Sequence, residues 1–183
     1  MGDGVGFGIR KAVAGDIPDI ARIHVDSWQV AYRGIVPHDV LENLSVEKRA
    51  QHLERHMLRD DHGYYVALLN RVVVGFFLMC VVDVEAGETV GEISAIYIDE
   101  ACWGKGFGSK MLEVALGQFR MAGVREIYVW VLEENRRARG FYEKCGFMYD
   151  GEVKVIHVGK PLNECRYRKS LRGVGDEQGG SSR

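Results

Sequence analysis

Three glycines at alternate positions, Gly104, Gly106 and Gly108, stand where a β-rich run ends and a helical run begins. A strand that passes directly into a helix needs positive-φ conformations, which glycine adopts at no steric cost. Amides in such a turn are unobstructed by side chains, and the helix behind it points a partly positive N-terminus at whatever the turn holds. The segment Cys102–Lys110 therefore predicts a strand–loop–helix unit around an anion site, with phosphate as the expected occupant. Lys105 adds a charge at its rim.

The chain of 183 residues is long enough for one domain with a sizeable core and short for two. Residues 1–8 read as a flexible leader, 9–172 as a single domain and 173–183 as a polar, glycine-rich tail. A net charge of −2, with no basic run, excludes an electrostatic nucleic-acid binder. Four widely spaced cysteines with no C-x-x-C pair fit thiols in a reducing cytosol better than a disulfide framework or a zinc site. The start lacks the basic-then-apolar pattern of a secretory signal, and the longest apolar run, Val72–Val82, is too short to cross a membrane as a helix. The expectation is a cytoplasmic protein with no membrane partner.

A short strand is expected near Ile9–Val13. Asp16 is then a cap for a helix with Pro18 in its first turn and Ile17, Ile20, Ile23 and Trp28 at helical spacing. Ser45 is a second cap, before a stripe of Val46, Ala50, Leu53 and Met57. The period then changes to that of strands: Tyr64–Leu69 and Val72–Val82 form a hairpin around Asn70-Arg71, and an acidic loop with Asp83, Glu85 and Glu88 leads to a strand at Glu92–Ile98. Phe107, Met111, Leu112, Ala115 and Phe119 mark one face of the helix after the glycine turn, which ends at Gly123. A strand at Glu126–Leu132, a short helix capped by Asn135 and stopped by Gly146, and strands at Phe147–Val158 and Leu162–Leu171 complete the order. This predicts a mixed α/β fold: one central sheet of about seven strands with helices on both faces, and a right-handed parallel crossover over Glu92–Leu132.

Two motifs carry a family resemblance. Trp103-Gly-Lys-Gly106-Phe-Gly108 between strand and helix resembles the acyl-CoA pyrophosphate loop of the GNAT N-acetyltransferase superfamily. Asn135-Arg-Arg-Ala138-Arg-Gly-Phe141-Tyr142-Glu-Lys-Cys-Gly146-Phe147 resembles its N-x-x-A-x-x-F-Y-x-x-x-G-F helix, at the usual separation. The resemblance covers roughly Tyr64–Leu171. It is weaker before that, where Trp28, Tyr32 and Gly34 are similar to bacterial small-amine acetyltransferases. Trp103 stands where the family usually has Gln or Arg.

The resemblance implies an enzyme that moves an acetyl group directly from acetyl-CoA to a primary amine of a small molecule, and a homodimer. Coenzyme A needs an anion nest and a strand edge for its amide-bearing arm. Gly104, Lys105, Gly106, Phe107, Gly108 and Ser109 offer the first, and backbone groups of Ile96, Tyr97 and Ile98 the second. Trp103, Asn135, Ala138, Phe141 and Tyr142 complete the expected cofactor contacts. Arg136, Arg137 and Arg139 near a helix N-terminus oppose the dipole, a cost that a polyanion such as the adenosine-side phosphate offsets; a solvated basic face is the alternative.

The acceptor ammonium, with a pKa near ~10.4, must lose a proton before it attacks. Glu92, at the offset of the catalytic glutamate in histone-modifying members, is the expected base, acting directly or through water. Tyr142 is the expected donor to the leaving thiolate, and the amide of Ile98 the oxyanion donor. Trp28, Tyr32, Tyr97 and Glu92 are the expected contacts of the acceptor. A dinucleotide site is disfavoured, since Ser109 occupies the place of a third glycine and repeated βαβ units are lacking. The order of Gly and Lys excludes a P-loop. His52 and His56 have metal-ligand spacing but no third ligand, so no metal is expected. Cys102 and Cys145 have no base nearby in sequence, which favours direct transfer over a cysteine relay. A protein N-terminus or lysine as acceptor, and a non-catalytic acyl-CoA-binding module, are the two other readings.

Overall fold

The computed structural model describes residues 6–57, 62–83 and 89–171. Along the chain run β1 (Phe7–Lys11), α1 (Ile17–Ala31), α2 (His38–Glu42), α3 (Val46–His56), β2 (His62–Leu69), β3 (Val72–Asp83), β4 (Thr89–Ile98), α4 (Phe107–Met121), β5 (Glu126–Leu132), α5 (Arg136–Lys144), β6 (Met148–Val158) and β7 (Lys160–Ser170). The seven strands form one mixed sheet in the order β1-β2-β3-β4-β5-β7-β6, antiparallel throughout except for β4 beside β5. Of the predicted acidic loop, Asp83 ends β3, while Glu85, Glu88 and the tail lie outside the described residues.

Period-two alternation divides the sheet between two cores. Phe76 faces α1 and α3, packing with Ile20, Ile23 and Leu53. Its neighbour Phe77 faces α4 and α5, packing with Met111, Phe119 and Tyr142. The β2–β3 hairpin turns at Asn70 and Arg71, with φ of 50° and 69°, as their left-handed pair demands. Ser45 caps α3 by accepting from the Lys48 amide at 3.2 Å.

Three expectations change. The first strand starts at Phe7, because the Phe7 ring stacks on Phe107 at 4.5 Å and ties β1 to the start of α4; Phe7 and Gly8 thus belong to the sheet. Asp16 occupies the N-cap position of α1 but makes no side-chain capping bond: its carboxylate takes the Arg10 guanidinium at 2.6 and 2.8 Å and the Val13 amide at 2.8 Å, locking β1 to the helix entry. The short helix α2 was not anticipated; buried Leu41 anchors it.

The feature that creates a site is the separation of β4 from β5. Their parallel ladder consists of Gly91↔Ile127 and Glu92↔Tyr128, yet the strands run on to Ile98 and Leu132. At the pinch, a Cβ on Gly91 would lie 2.6 Å from Phe119, so only glycine admits the helix this close. Just beyond it, Leu78 pairs with Ala95 and Met79 with Ile93, leaving Ser94 as a bulge. A bulge bends its strand and raises its twist, carrying β4 away from β5.

Candidate active site

A cavity of about 350 Å³ fills the cleft between the diverging strands. Ile96, Tyr97 and Ile98 of β4 face Val129, Trp130 and Leu132 of β5 across it, with Ser27 and Ala31 of α1 and its C-cap Tyr32 on one side. The glycine turn closes another side through Trp103, Gly104, Gly106, Phe107, Gly108 and Ser109. From α5 and its N-cap come Ala138, Phe141 and Tyr142, and Asn135. The expected cofactor residues are therefore brought together with one exception: Lys105 is exposed and does not line the cavity.

Gly104 and Gly106 have φ of 72° and 78°, and a Cβ on either would stand in open space. Lys110 is the first amide here bonded back along the chain, to the Gly106 carbonyl at 3.2 Å. Among the described residues, the amides of 104–109 have no backbone acceptor, so they remain donors for a bound anion. These donors and the unpaired edges of β4 and β5 fit a diphosphate joined to an amide-bearing arm.

Trp103 replaces the usual polar side chain with two contacts. Its indole N–H donates to the Ile98 carbonyl at 2.8 Å, and its ring carries the Arg137 guanidinium at 3.6 Å. Arg137 is thereby held in the cavity wall. The three arginines of α5 divide. Arg139 donates to the Tyr167 hydroxyl and the Glu133 carbonyl, Arg136 is exposed, and Arg137 alone faces the cavity.

The predicted aromatic wall is a hydrogen-bonded cluster. Trp28 Nε1 donates to the Tyr97 hydroxyl at 3.0 Å, and the Tyr32 and Tyr97 hydroxyls share a bond at 3.1 Å. Burial raises the pKa of both tyrosines, which stay neutral. Tyr32 and Tyr97 line the cavity; Trp28 does not, and stands behind them as a support. His24 stacks on Trp28 at 5.3 Å, and burial together with Arg49 and His52 lowers its pKa to about 3. It is a neutral spacer.

Tyr142 is 4% exposed, and burial drives its pKa far above that of an ordinary phenol. Among the described residues its hydroxyl has no hydrogen-bond partner, so the O–H is available to whatever enters the cavity. Glu92 sits at the pinch rather than in the cavity lining, and accepts from the Tyr128 hydroxyl at 2.9 Å. Next along its face, Ser94 does reach the cavity, touching Cys80 opposite Glu92 at 3.5 Å.

Glu164 was not singled out from sequence. It comes from β7, opposite Leu132, and is the only carboxylate in the cavity lining among the described residues. Strand alternation hints at its side of the sheet, but only the splay of β4 shows that side opening into a cavity. His52 and His56 lie with ring centroids 4.3 Å apart, and no group of three metal-ligating side chains occurs among the described residues. Cys102 lines the cavity, whose lining among the described residues includes no histidine or lysine, and none of the four cysteines forms a disulfide.

Residues 18–147 match the model of the acetyltransferase (GNAT) family. The chain is 32% identical over 128 residues to the uncharacterized N-acetyltransferase YuaI of Bacillus subtilis, covering 69% of this chain and 72% of that one. It is 28% identical to the probable N-acetyltransferase Rv2775 of Mycobacterium tuberculosis, over 84% of this chain and 92% of the relative. Among solved structures, the PaiA N-acetyltransferase of Thermoplasma acidophilum, determined with coenzyme A, superimposes with a TM-score of 0.68 at 21% identity, covering 90% of this chain and 99% of that chain.

Proposed function

The chain belongs to the GNAT family of N-acetyltransferases, with acetyl-CoA as donor, and from that premise we propose that its acceptor is a primary amine of a small molecule. Bound acetyl-CoA supplies an activated thioester. The remaining work falls to the residues around the cleft. Amides of 104–109 and Arg137 hold the phosphates, and the open edges of β4 and β5 hold the arm. The Ile98 amide is our proposed oxyanion donor.

Tyr142 donates a hydrogen bond, and keeps its proton, as the sulfur departs; the coenzyme A thiolate takes up the proton that the acylated nitrogen sheds. With its pKa far above that of a thiol, ~8.5, the phenol acts as a neutral hydrogen-bond donor and not as a stronger acid than the thiol it serves. Glu92 receives the proton of the acceptor ammonium through one water alongside Ser94, since its carboxylate stands outside the lining.

The observation that carries the small-molecule reading is the wall formed by Tyr32 and Tyr97. Their shared hydrogen bond, braced by Trp28, bounds the cleft on the α1 side with aromatic surface suited to a cationic amine. An assay following thiol release from acetyl-CoA, run over small amines and over peptides with free N-termini and lysines, tests it. Turnover of small amines is expected, and turnover of peptides alone overturns it. For Glu92, Glu92→Gln is expected to lower kcat most below neutral pH with acetyl-CoA affinity unchanged; an unaltered pH profile removes Glu92 from the mechanism.

Two lesser expectations belong here. Four cysteines outside disulfides support a reducing, cytoplasmic setting, and no described helix is long and apolar enough to cross a membrane. Strand β6 ends the sheet with Val153 and Val155 exposed, which supports a homodimer testable by sedimentation velocity.

A further inference from the structure

The acceptor side of the cavity already shows how it treats a primary ammonium. Lys154 of β6 stands directly across the strand pair from Glu164, its Nζ 3.2 Å from the Glu164 carboxylate. The same Nζ lies 4.3 Å above the centroid of Trp130. Trp130 and Glu164 both line the cavity; Lys154 does not. Lys154 is nearly half exposed whereas Glu164 is 19% exposed, so the carboxylate is fixed in the wall and the ammonium reaches it from solvent on a flexible stem.

We propose that the Glu164 carboxylate and the face of Trp130 form a subsite for a second positive charge on the acceptor, at present filled by the chain's own Lys154. The proposal rests on the small-amine reading above and narrows it to diamines and related polycations. One amine of such a molecule lies toward the thioester, between Tyr97 and Tyr142. The other replaces Lys154 Nζ on Trp130 and Glu164. No bond forms or breaks in this exchange; one ammonium leaves an ion pair and a cation–π contact as another takes them up.

The rest of the neighbourhood is already committed. Arg166 lies 5.6 Å from Trp130 but donates to Asp150 at 2.7 Å, and Arg168 pairs with Glu126. Neither competes for Glu164. Glu164 lines the same cavity as Tyr32 and Tyr97, and its charge adds a minor part to the rise in their pKa values, which burial dominates.

A cross-strand ion pair kept only for stability and a subsite with an internal occupant predict opposite behaviour for its two halves. Loss of Glu164 removes the anchor, whereas loss of Lys154 removes the competitor. Kinetics with saturating acetyl-CoA are measured for 1,3-diaminopropane, 1,4-diaminobutane and 1,5-diaminopentane against 1-aminobutane. In the wild type, kcat/KM for the best diamine is expected to exceed that for the monoamine by roughly tenfold, the scale of one ion-pair and cation–π contact. Glu164→Gln closes that gap through KM with kcat little changed, and Trp130→Leu narrows it. Lys154→Met lowers the diamine KM several-fold.

Equal use of diamine and monoamine, a gap that survives Glu164→Gln, or Glu164→Gln and Lys154→Met moving KM in the same direction each overturn the subsite while leaving the small-amine reading intact. If no amine of the series is acetylated, the wider panel of small amines and peptides decides the small-amine reading, and calorimetry of 1,4-diaminobutane with the coenzyme A complex decides the subsite separately. Binding to wild type that Glu164→Gln abolishes supports it; no binding to wild type overturns it.

Discussion

Gly106 and Gly123 flank the same helix, α4, at φ of 78° and 75°, and a Cβ on either meets nothing within 4 Å. Gly106→Ala and Gly123→Ala therefore impose the same left-handed strain, about 1–2 kcal/mol each, and lower Tm by about 2–8 °C. They differ in what the backbone must hold. An alanine that relaxes to negative φ at 106 rotates the neighbouring peptides and swings an amide out of the nest. Each amide donating to a phosphate oxygen is charge-assisted and worth about 1.5–3 kcal/mol, so one lost donor weakens coenzyme A roughly 10- to 150-fold. Calorimetry with coenzyme A and with pantetheine, which lacks the diphosphate, separates the effects. Gly106→Ala is expected to bind coenzyme A worse and pantetheine as before, and Gly123→Ala to match wild type for both. If Gly106→Ala keeps full coenzyme A affinity, or Gly123→Ala loses as much, the turn does not hold the diphosphate.

Tyr142→Phe removes a hydroxyl with no internal partner among the described residues, so stability is expected to hold while kcat falls about 10- to 100-fold with coenzyme A affinity unchanged; a stability loss equal to the kinetic one would make Tyr142 a packing residue. Trp103→Ala unseats Arg137 and is expected to weaken coenzyme A about 3- to 10-fold, with Trp103→Phe keeping most of the affinity because it keeps the ring under the guanidinium. His24 has a folded pKa of about 3, so between there and its unfolded value near ~6.5 the unfolded chain binds one proton more, and stability falls as pH falls, by about 1.4 kcal/mol per unit from this group. Urea titrations at pH 6.5 and 4.5 should show that slope reduced in His24→Phe, and an unchanged slope would mean that the ring is protonated in the folded protein.

What could be read from the chain alone is what local chemistry determines. Asn70-Arg71 turns the hairpin, Asn135 caps α5 by accepting from the Ala138 amide at 3.1 Å, and the alternate glycines lead into α4, because each needs only its immediate neighbours. Asp16 shows where that logic stops. An acidic residue before a helix satisfies the rule for a cap, but the guanidinium of Arg10 outcompetes the helix amides once β1 lies against the helix entry. Trp28 near the end of α1 and Tyr32 at its C-cap, four residues apart, look equivalent in sequence. Their roles differ because the Tyr97 hydroxyl rises from β4 to meet both, leaving one ring in the wall and the other behind it.

Glu164 and Glu92 have the deeper explanation. A flat, fully paired sheet would keep β5 against β4 along its length, and neither carboxylate would have any relation to a cavity. The opening depends on two residues without a sequence signature: Gly91, which lets Phe119 press on the backbone at the pinch, and Ser94, the bulged residue. Each acts through a partner far along the chain. Because the bulge lies just beyond Glu92, the same irregularity that opens the cleft leaves Glu92 on the paired side of it, bonded to Tyr128, and brings Glu164 to the open side. In the mechanism and the subsite we propose, the two carboxylates divide the work by position: the one at the pinch meets the acceptor's proton through water, and the one on β7 meets the acceptor's charge directly.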